Sequence, residues 1–266
     1  MQILWLGTRK RAALFLTGVI FGLALLQLCL MGAGRMAVSV LSQKIIPIYR
    51  VDTGEEKKVA ISFDATWGAD YTPKLLTTLK NENVKATFYL AGFWIEKYPN
   101  MVKQIAKAGH ELGNHSYSHP HLNSLGEDEI RRELMQTHEM IKELTGKSCV
   151  VFRPPFGEYS NKVINVAKAC GYQTIIWDVD SLDWKNLSAQ EIQRRILEKV
   201  KPGSIVLMHN AGLNTPEALP GIIKALKQQG YKFTTTSELL LRDPYYIEHD
   251  GEQKPKGGYE GGRTTV

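Results

Sequence analysis

From residue 57 onward two apolar rhythms alternate along the chain. Short runs rich in β-branched and aromatic residues read as strands: VAISFD (59–64), ATFYL (86–90), HELGN (110–114), VVFRP (150–154), QTIIWDV (173–179), SIVLMH (204–209) and KFTTT (232–236). Between them lie amphipathic helical patterns near 72–82, 98–108, 127–145, 161–170, 188–200 and 216–229. Glycines 109, 146, 171 and 230 follow helix ends, where a positive φ is needed. Seven strands alternating with helices predict an α/β fold with a parallel sheet and right-handed crossovers. A closed or nearly closed barrel fits this rhythm, and an open doubly wound sheet is the alternative.

The flanks read differently. Arg9, Lys10 and Arg11 precede an uncharged apolar run, residues 12–34. As a helix it would span about 35 Å, enough to cross a bilayer. The basic cluster before it predicts a cytoplasmic N-terminus and an exported remainder. A cleaved signal peptide ending at Gly32-Ala33-Gly34 is the rival reading, but the run exceeds the usual apolar length of such peptides. Segment 45–58 reads as an extended lead-in with a turn at Thr53-Gly54. From Asp243 on, the chain is polar and Gly-rich and reads as a mobile tail. The expected organisation is therefore a cytoplasmic stub with a signal-anchor helix (1–35), a linker (36–56), one folded domain (57–241) and a tail (242–266).

Composition narrows the function. With 43% apolar and 23% charged residues among 266, one sizeable core is possible. The three cysteines show neither a CxxC pair nor an even framework, so no zinc ribbon or disulfide scaffold is indicated. Cys149 and Cys170 read as small apolar residues. The net charge of +6 is spread over helix faces without an aromatic-interleaved basic stripe, which argues against nucleic-acid binding.

The chemistry concentrates at strand ends. In a β/α barrel the C-terminal ends of the strands carry the active site. Asp64 ends the first strand, His115 follows the third with His119 four positions on, and Arg153 closes the fourth. Asp180 and Asp183 follow the fifth, and His209 ends the sixth. Taken singly, each has an ordinary explanation: a turn former, a cap or a structural histidine. His110, His121, His138 and His249 are assigned to that ordinary class. Five strands delivering titratable residues to one rim is a stronger signal.

In this order, SFDATWG (62–68), HSYSH (115–119), RPPFG (153–157), DSLDW (180–184) and LMH (207–209) resemble the polysaccharide deacetylases, the NodB-like family 4 carbohydrate esterases. The resemblance covers about residues 57–241, and the anchor, the triplet Phe63-Asp64-Ala65 and the short tail look most like the family's sporulation-associated branch. It implies an irregular, deformed TIM-like (β/α)7 barrel. The implied activity is metal-dependent removal of acetyl groups from N-acetylated cell-wall glycan, with peptidoglycan as the expected target. The protein is expected to be a monomer, held to the membrane by its N-terminal helix, acting on N-acetylglucosamine or N-acetylmuramic acid units.

Residue by residue, the resemblance gives His115 and His119 as metal ligands, with zinc first and cobalt or manganese as alternatives. Asp64 matches the general base, Arg153 its partner, His209 the general acid and Asp183 the carboxylate that raises the His209 pKa. The backbone N–H of Phe156 matches an oxyanion donor, and Trp184 and Leu207 would wall the acetyl pocket. Trp67 offers a stacking face to a sugar or simply packs. One position departs from the pattern. The family usually has a second acid directly after the base, as third metal ligand, and here that residue is Ala65. A catalytically silent glycan-binding protein on the same fold is the alternative this departure leaves open.

Overall fold

The computed structural model describes residues 44–257 together with Leu23, Ala24, Leu26 and Gln27, these four being helical. Residues 1–44 and 45–266 form separate compact units. Most of the expected anchor lies outside the described residues, among which no helix is long and apolar enough to cross a membrane.

The second unit is built on one sheet. Strand β2 (Lys58–Ala65) is its centre, pairing in parallel with β8 (Ser204–His209) along one edge. On the other edge β9 (Lys232–Thr234) pairs with its first residues and β3 (Thr87–Leu90) with its last. From β3 the parallel order continues through β4 (Glu111–Asn114), β5 (Val151–Phe152) and β6 (Gln173–Thr174). Beyond β8 lie β7 (Val179–Asp180), parallel to it, and β1 (Arg50–Val51), antiparallel to it. The sheet curls into an irregular half-barrel, not the flat doubly wound alternative.

Alternation along β2 explains the two layers. Val59, Ile61, Phe63 and Ala65 belong to the large apolar cluster that includes the helices. These are α1 (Thr72–Asn81), α2 (Gly92–Lys97), α3 (Pro99–Lys107), α4 (Glu127–Thr145), α5 (Asn161–Ala169), α6 (Ala189–Lys199), α7 (Thr215–Gln228) and the short α8 (Thr236–Leu239). Ala60 belongs to a second cluster with Ile48, Val51, Tyr89, Val151, Ile175, Ile205 and Leu239. Ser62 and Asp64 share the face of Ala60, because strand side chains repeat every two residues. Polar residues thus enter the concave side near the strand ends. Helix α4 ends at Gly146 with φ 70°, and α6 starts from a Ser188–Glu191 capping box.

Four expectations change. The run 173–179 is not one strand: β6 stays beside β5, the chain passes Ile175, which bridges Ile48, and β7 pairs with β8. The run 232–236 stops early because Thr235 caps α8, its side chain taking the Glu238 N–H. The lead-in is not a linker in its last part, since β1 joins the sheet with Val51 fully buried. Nor are residues 242–257 a mobile tail. β10 (Tyr245–Ile247) and β11 (Glu252–Pro255) form an antiparallel pair, β11 lies alongside β1, and buried Gln253 hydrogen-bonds Leu241 through both side-chain ends. Residues 258–266 lie outside the described residues.

Candidate active site

A pocket of about 430 Å³ opens at the C-terminal strand ends. Asp64, Trp67, His115, His119, Phe156, Asp180, Trp184, Leu207 and His209 line it, so nine of the eleven residues singled out from sequence meet there. The other two, Arg153 and Asp183, are fully buried behind it.

On one side Asp64 is fixed by Arg153. Nη1 donates to Asp64 Oδ1 at 2.7 Å, while Nη2 donates to Ser62 Oγ at 2.8 Å and to the Ile176 carbonyl at 3.1 Å. The guanidinium lies 4.0 Å from the Tyr89 ring centroid, so the cation is stacked as well as paired. Burial by itself would raise the Asp64 pKa. The adjacent Arg153 charge, with its hydrogen bond, outweighs it and holds the carboxyl below its ordinary range.

Opposite, His209 is fixed by Asp183. The ring Nδ1–H donates to Asp183 Oδ1 at 2.7 Å, and the His209 backbone N–H donates to Oδ2 at 2.8 Å. Thr215 Oγ1 also donates to Oδ2, at 2.6 Å. Gly212 is required beside them, because a Cβ there would lie 2.1 Å from Thr215 Oγ1 and 2.8 Å from Asp183 Oδ2. Burial pulls the His209 pKa down, but the Asp183 hydrogen bond and charge reverse this, leaving it raised.

The third component is the loop carrying His115 and His119. It is not helical. Ser116 and His119 both adopt left-handed backbone, with φ of 62° and 56°. Asn114 Oδ1 accepts the Ser116 N–H at 2.9 Å and Ser116 Oγ accepts the His119 N–H at 3.2 Å. Glu133, reaching from α4, accepts from Tyr117 N, Ser118 N and Ser118 Oγ at 2.9, 2.7 and 2.7 Å. The clamped loop brings the two rings to 4.9 Å between centroids. His115 Nδ1 donates to the Arg153 carbonyl at 2.7 Å, so Nε2 is the free nitrogen, and it lies 3.5 Å from Asp64 Oδ2. Burial lowers both histidine pKa values, that of His119 to about 4, which keeps the rings neutral.

Ala65 does not complete a metal set. Its methyl is fully buried and grouped with Phe63 and Leu90 in the helix-side cluster, and it does not line the pocket. Among the described residues, no three His, Cys, Asp or Glu side chains converge as a metal-binding group. Two neutral imidazoles fall short of the three protein ligands of an ordinary catalytic zinc site.

The rim is aromatic. Trp67, Phe156 and Trp184 are 67%, 54% and 57% exposed. Phe156 stands in the left-handed region with φ 60° and packs edge-on to His119. His121 stacks on Phe156 and pairs with Glu158 at 2.9 Å, so this residue assigned to the ordinary class sits beside the rim. Sequence reasoning missed Ser62, Glu133 and Thr215, and also Trp177 and Asn210, which line the pocket. Only Ser62 had a usable signal, its two-residue spacing from Asp64.

Comparison with known proteins identifies relatives of this chain. The family model described as polysaccharide deacetylase matches residues 51–175. A peptidoglycan-N-acetylglucosamine deacetylase of Bacillus cereus is 41% identical over 187 residues, covering 69% of this chain and 68% of that protein. The peptidoglycan-N-acetylmuramic acid deacetylase PdaA of Bacillus subtilis is 34% identical over 214 residues, covering 79% and 80%. Among solved structures, a carbohydrate esterase family 4 pseudoenzyme from Bacillus anthracis superposes with a TM-score of 0.70 at 40% identity, covering 73% of this chain and 68% of that one. A mutant of that pseudoenzyme is described as having restored enzymatic activity. The chain belongs to the polysaccharide deacetylase family, hydrolases of carbon–nitrogen bonds that generally use a divalent metal.

Proposed function

We propose that this protein removes acetyl groups from N-acetylated cell-wall glycan, with peptidoglycan as its target. The observation that carries this reading is the separation of protonation states across one pocket: Asp64, paired with Arg153, is held ionised, and His209, paired with Asp183, is held toward its protonated form. In the reaction Asp64 accepts a proton from the attacking water as the water oxygen bonds to the acetamide carbon. The developing oxyanion faces the Phe156 backbone N–H. His209 then donates its proton to the departing nitrogen, the carbon–nitrogen bond breaks, and acetate and a free amine leave. Trp184 and Leu207 wall the acetyl group. His115 and His119 offer two neutral nitrogen ligands for a divalent ion, zinc, cobalt or manganese, held more weakly than in a three-ligand site.

The same reading places the domain outside the cytoplasm, as a monomer anchored through residues 12–34. That part is supported by the basic cluster and apolar run alone, and protease accessibility of the domain on intact cells tests it. A sporulation role is supported by motif resemblance, and a fluorescent fusion followed through spore formation tests it.

A second reading has its own observation. Ala65 and the absence of a three-donor group among the described residues favour a glycan-binding protein without hydrolytic activity. One experiment separates the two. The full-length chain is incubated with peptidoglycan and with N-acetylglucosamine oligomers, with and without zinc, cobalt or manganese, and acetate is measured. Acetate release that Asp64→Asn abolishes supports hydrolysis. Glycan binding with no acetate under any metal supports the second reading, and neither binding nor acetate overturns both.

A further inference from the structure

Behind the acid lies a buried hydroxyl that the proposed reaction does not use. Thr215 is the first residue of α7 and is fully buried. Its Oγ1 donates to Asp183 Oδ2 at 2.6 Å. The His209 backbone N–H donates to the same oxygen at 2.8 Å, whereas Oδ1 takes the His209 ring at 2.7 Å. The two carboxylate oxygens therefore have separate tasks. Turning the carboxylate about its Cβ–Cγ bond would strip Oδ2 of both donors, so these two tethers keep Oδ1 on the ring. The neighbouring residues are arranged around this contact. Any Cβ at Gly212 would wedge between Thr215 Oγ1 and Asp183 Oδ2. The Gly212 carbonyl accepts the Thr215 N–H at 3.2 Å. Asn214 Nδ2 donates to the Leu187 carbonyl at 2.9 Å, which ties the start of α7 to the chain just beyond Asp183–Lys185. The donor is also neutral. A Lys or Arg at position 215 would take up the Asp183 charge, as Arg153 does for Asp64. A hydroxyl orients the carboxylate and leaves its charge to the imidazole.

We propose that Thr215 is a positioning residue for His209: by tethering Asp183 Oδ2, its hydroxyl keeps Oδ1 on the ring Nδ1–H and leaves Nε2 to the pocket that His209 lines. The part this plays in proton donation rests on the deacetylase reading above; the tether itself does not. A carboxylate that accepts from Nδ1–H sets both the tautomer and the orientation of an imidazole working as acid or base. Such a group must be held to within about 0.5 Å by neighbours that are themselves fixed. Without the hydroxyl, Oδ2 keeps one donor. Asp183 is fully buried, so solvent does not replace the other. The carboxylate is then free to turn, and the ring loses its fixed partner.

The test follows the His209 Nδ1 proton by NMR in the full-length chain. Thr215→Val removes the hydroxyl at nearly constant shape, Thr215→Ala removes it with no added bulk, and Thr215→Ser keeps it. In the Val and Ala variants the Nδ1 proton should exchange with solvent about tenfold faster than in the native chain, the effect of one lost buried hydrogen bond. The backbone amides of β2, which report on opening of the whole domain, should exchange at the native rate. The Ser variant should match the native chain in both. An Nδ1 proton unaffected by Val and Ala would overturn the inference. Equal acceleration of the β2 amides would also overturn it, since Thr215 would then hold the fold and not the acid. Acetate release from peptidoglycan supplies the second readout. The Val and Ala variants should lose about tenfold in kcat with KM unchanged, and Ser should restore it. A raised KM with native kcat would overturn the inference. Absence of acetate from the native chain would overturn the deacetylase reading alone, and the Nδ1 proton would still decide the tether.

Discussion

The two walls of the pocket are built to different standards. On the acid–base wall the base and the acid each have a partner. Arg153 meets Asp64, Ser62 and Ile176, and Asp183 takes hydrogen bonds from the His209 ring, the His209 backbone and Thr215. On the imidazole wall the loop is clamped as firmly, yet its rings converge with no third carboxylate, because the next residue after Asp64 is a buried alanine. The difference teaches that the groups governing proton transfer find their partners within the protein itself. Their pKa directions follow chiefly from burial, Arg153 and Asp183. The imidazole wall has a fixed shape and an incomplete donor set.

The sharpest way to break the acid–base wall is Arg153→Met. It keeps much of the volume over Tyr89 but leaves Asp64 buried with no adjacent guanidinium. Removing one partner of a buried pair costs about 3–5 kcal/mol. Denaturant unfolding should show a loss of that size, and acetate release or glycan binding should fall with it. A loss below about 1 kcal/mol would mean that Asp64 is not held by this pair.

Ala65→Asp addresses the other wall. Without metal, a carboxyl placed where a methyl sits fully buried should cost roughly 2–4 kcal/mol. With zinc the variant should regain stability and bind the ion more tightly than the native chain, read by calorimetric titration. Equal zinc affinity in the two chains would show that position 65 does not reach the rings.

Much of this architecture could be read from sequence, and the exceptions share a cause. VAISFD and SIVLMH were legible because both are buried on two faces and pair with each other along their length. The break inside QTIIWDV was not, because the run is apolar throughout and only the choice of neighbour, β5 or β8, divides it. The β10–β11 pair is polar in sequence and exists through its pairing with β1. At the site, the rim residues announced themselves as Asp, His and Arg at strand ends. Thr215 and Glu133 could not, since each lies in a helix with nothing local to mark what its side chain reaches.

Asp183→Asn weakens the acid–base wall more selectively. A carbonyl and an amide replace two oxygens that accept three hydrogen bonds, so at least one donor loses its acceptor, at about 1–3 kcal/mol. The pH dependence has a definite sign. The folded His209 pKa is raised above its ordinary 6.5, so its contribution is fully present below about 6.5 and is lost as pH rises through the folded value. The stability difference between native and variant chains should therefore be larger at about pH 5.5 than at about pH 9. A difference that grows with pH would contradict the Asp183–His209 pair.

The smallest effect sharpens the imidazole wall. Glu133 Oε2 accepts two backbone N–H groups and Oε1 accepts the Ser118 hydroxyl. In Glu133→Gln the carbonyl can keep the two backbone donors, and the amide can donate to Ser118 Oγ. Only the charge assistance is lost, at about 1 kcal/mol or less. Glu133→Ala removes all three acceptor contacts and should free the loop. The histidine pair reports which has happened. His119 is held near a pKa of about 4 chiefly by burial, so a loosened loop that lets in water should move it back toward 6.5. Histidine NMR titration should find His119 unchanged in the Gln variant and raised in the Ala variant. If both variants keep His119 low, the loop is held by Asn114 and Ser116 without Glu133, and the firmness of this wall comes from its own backbone turns.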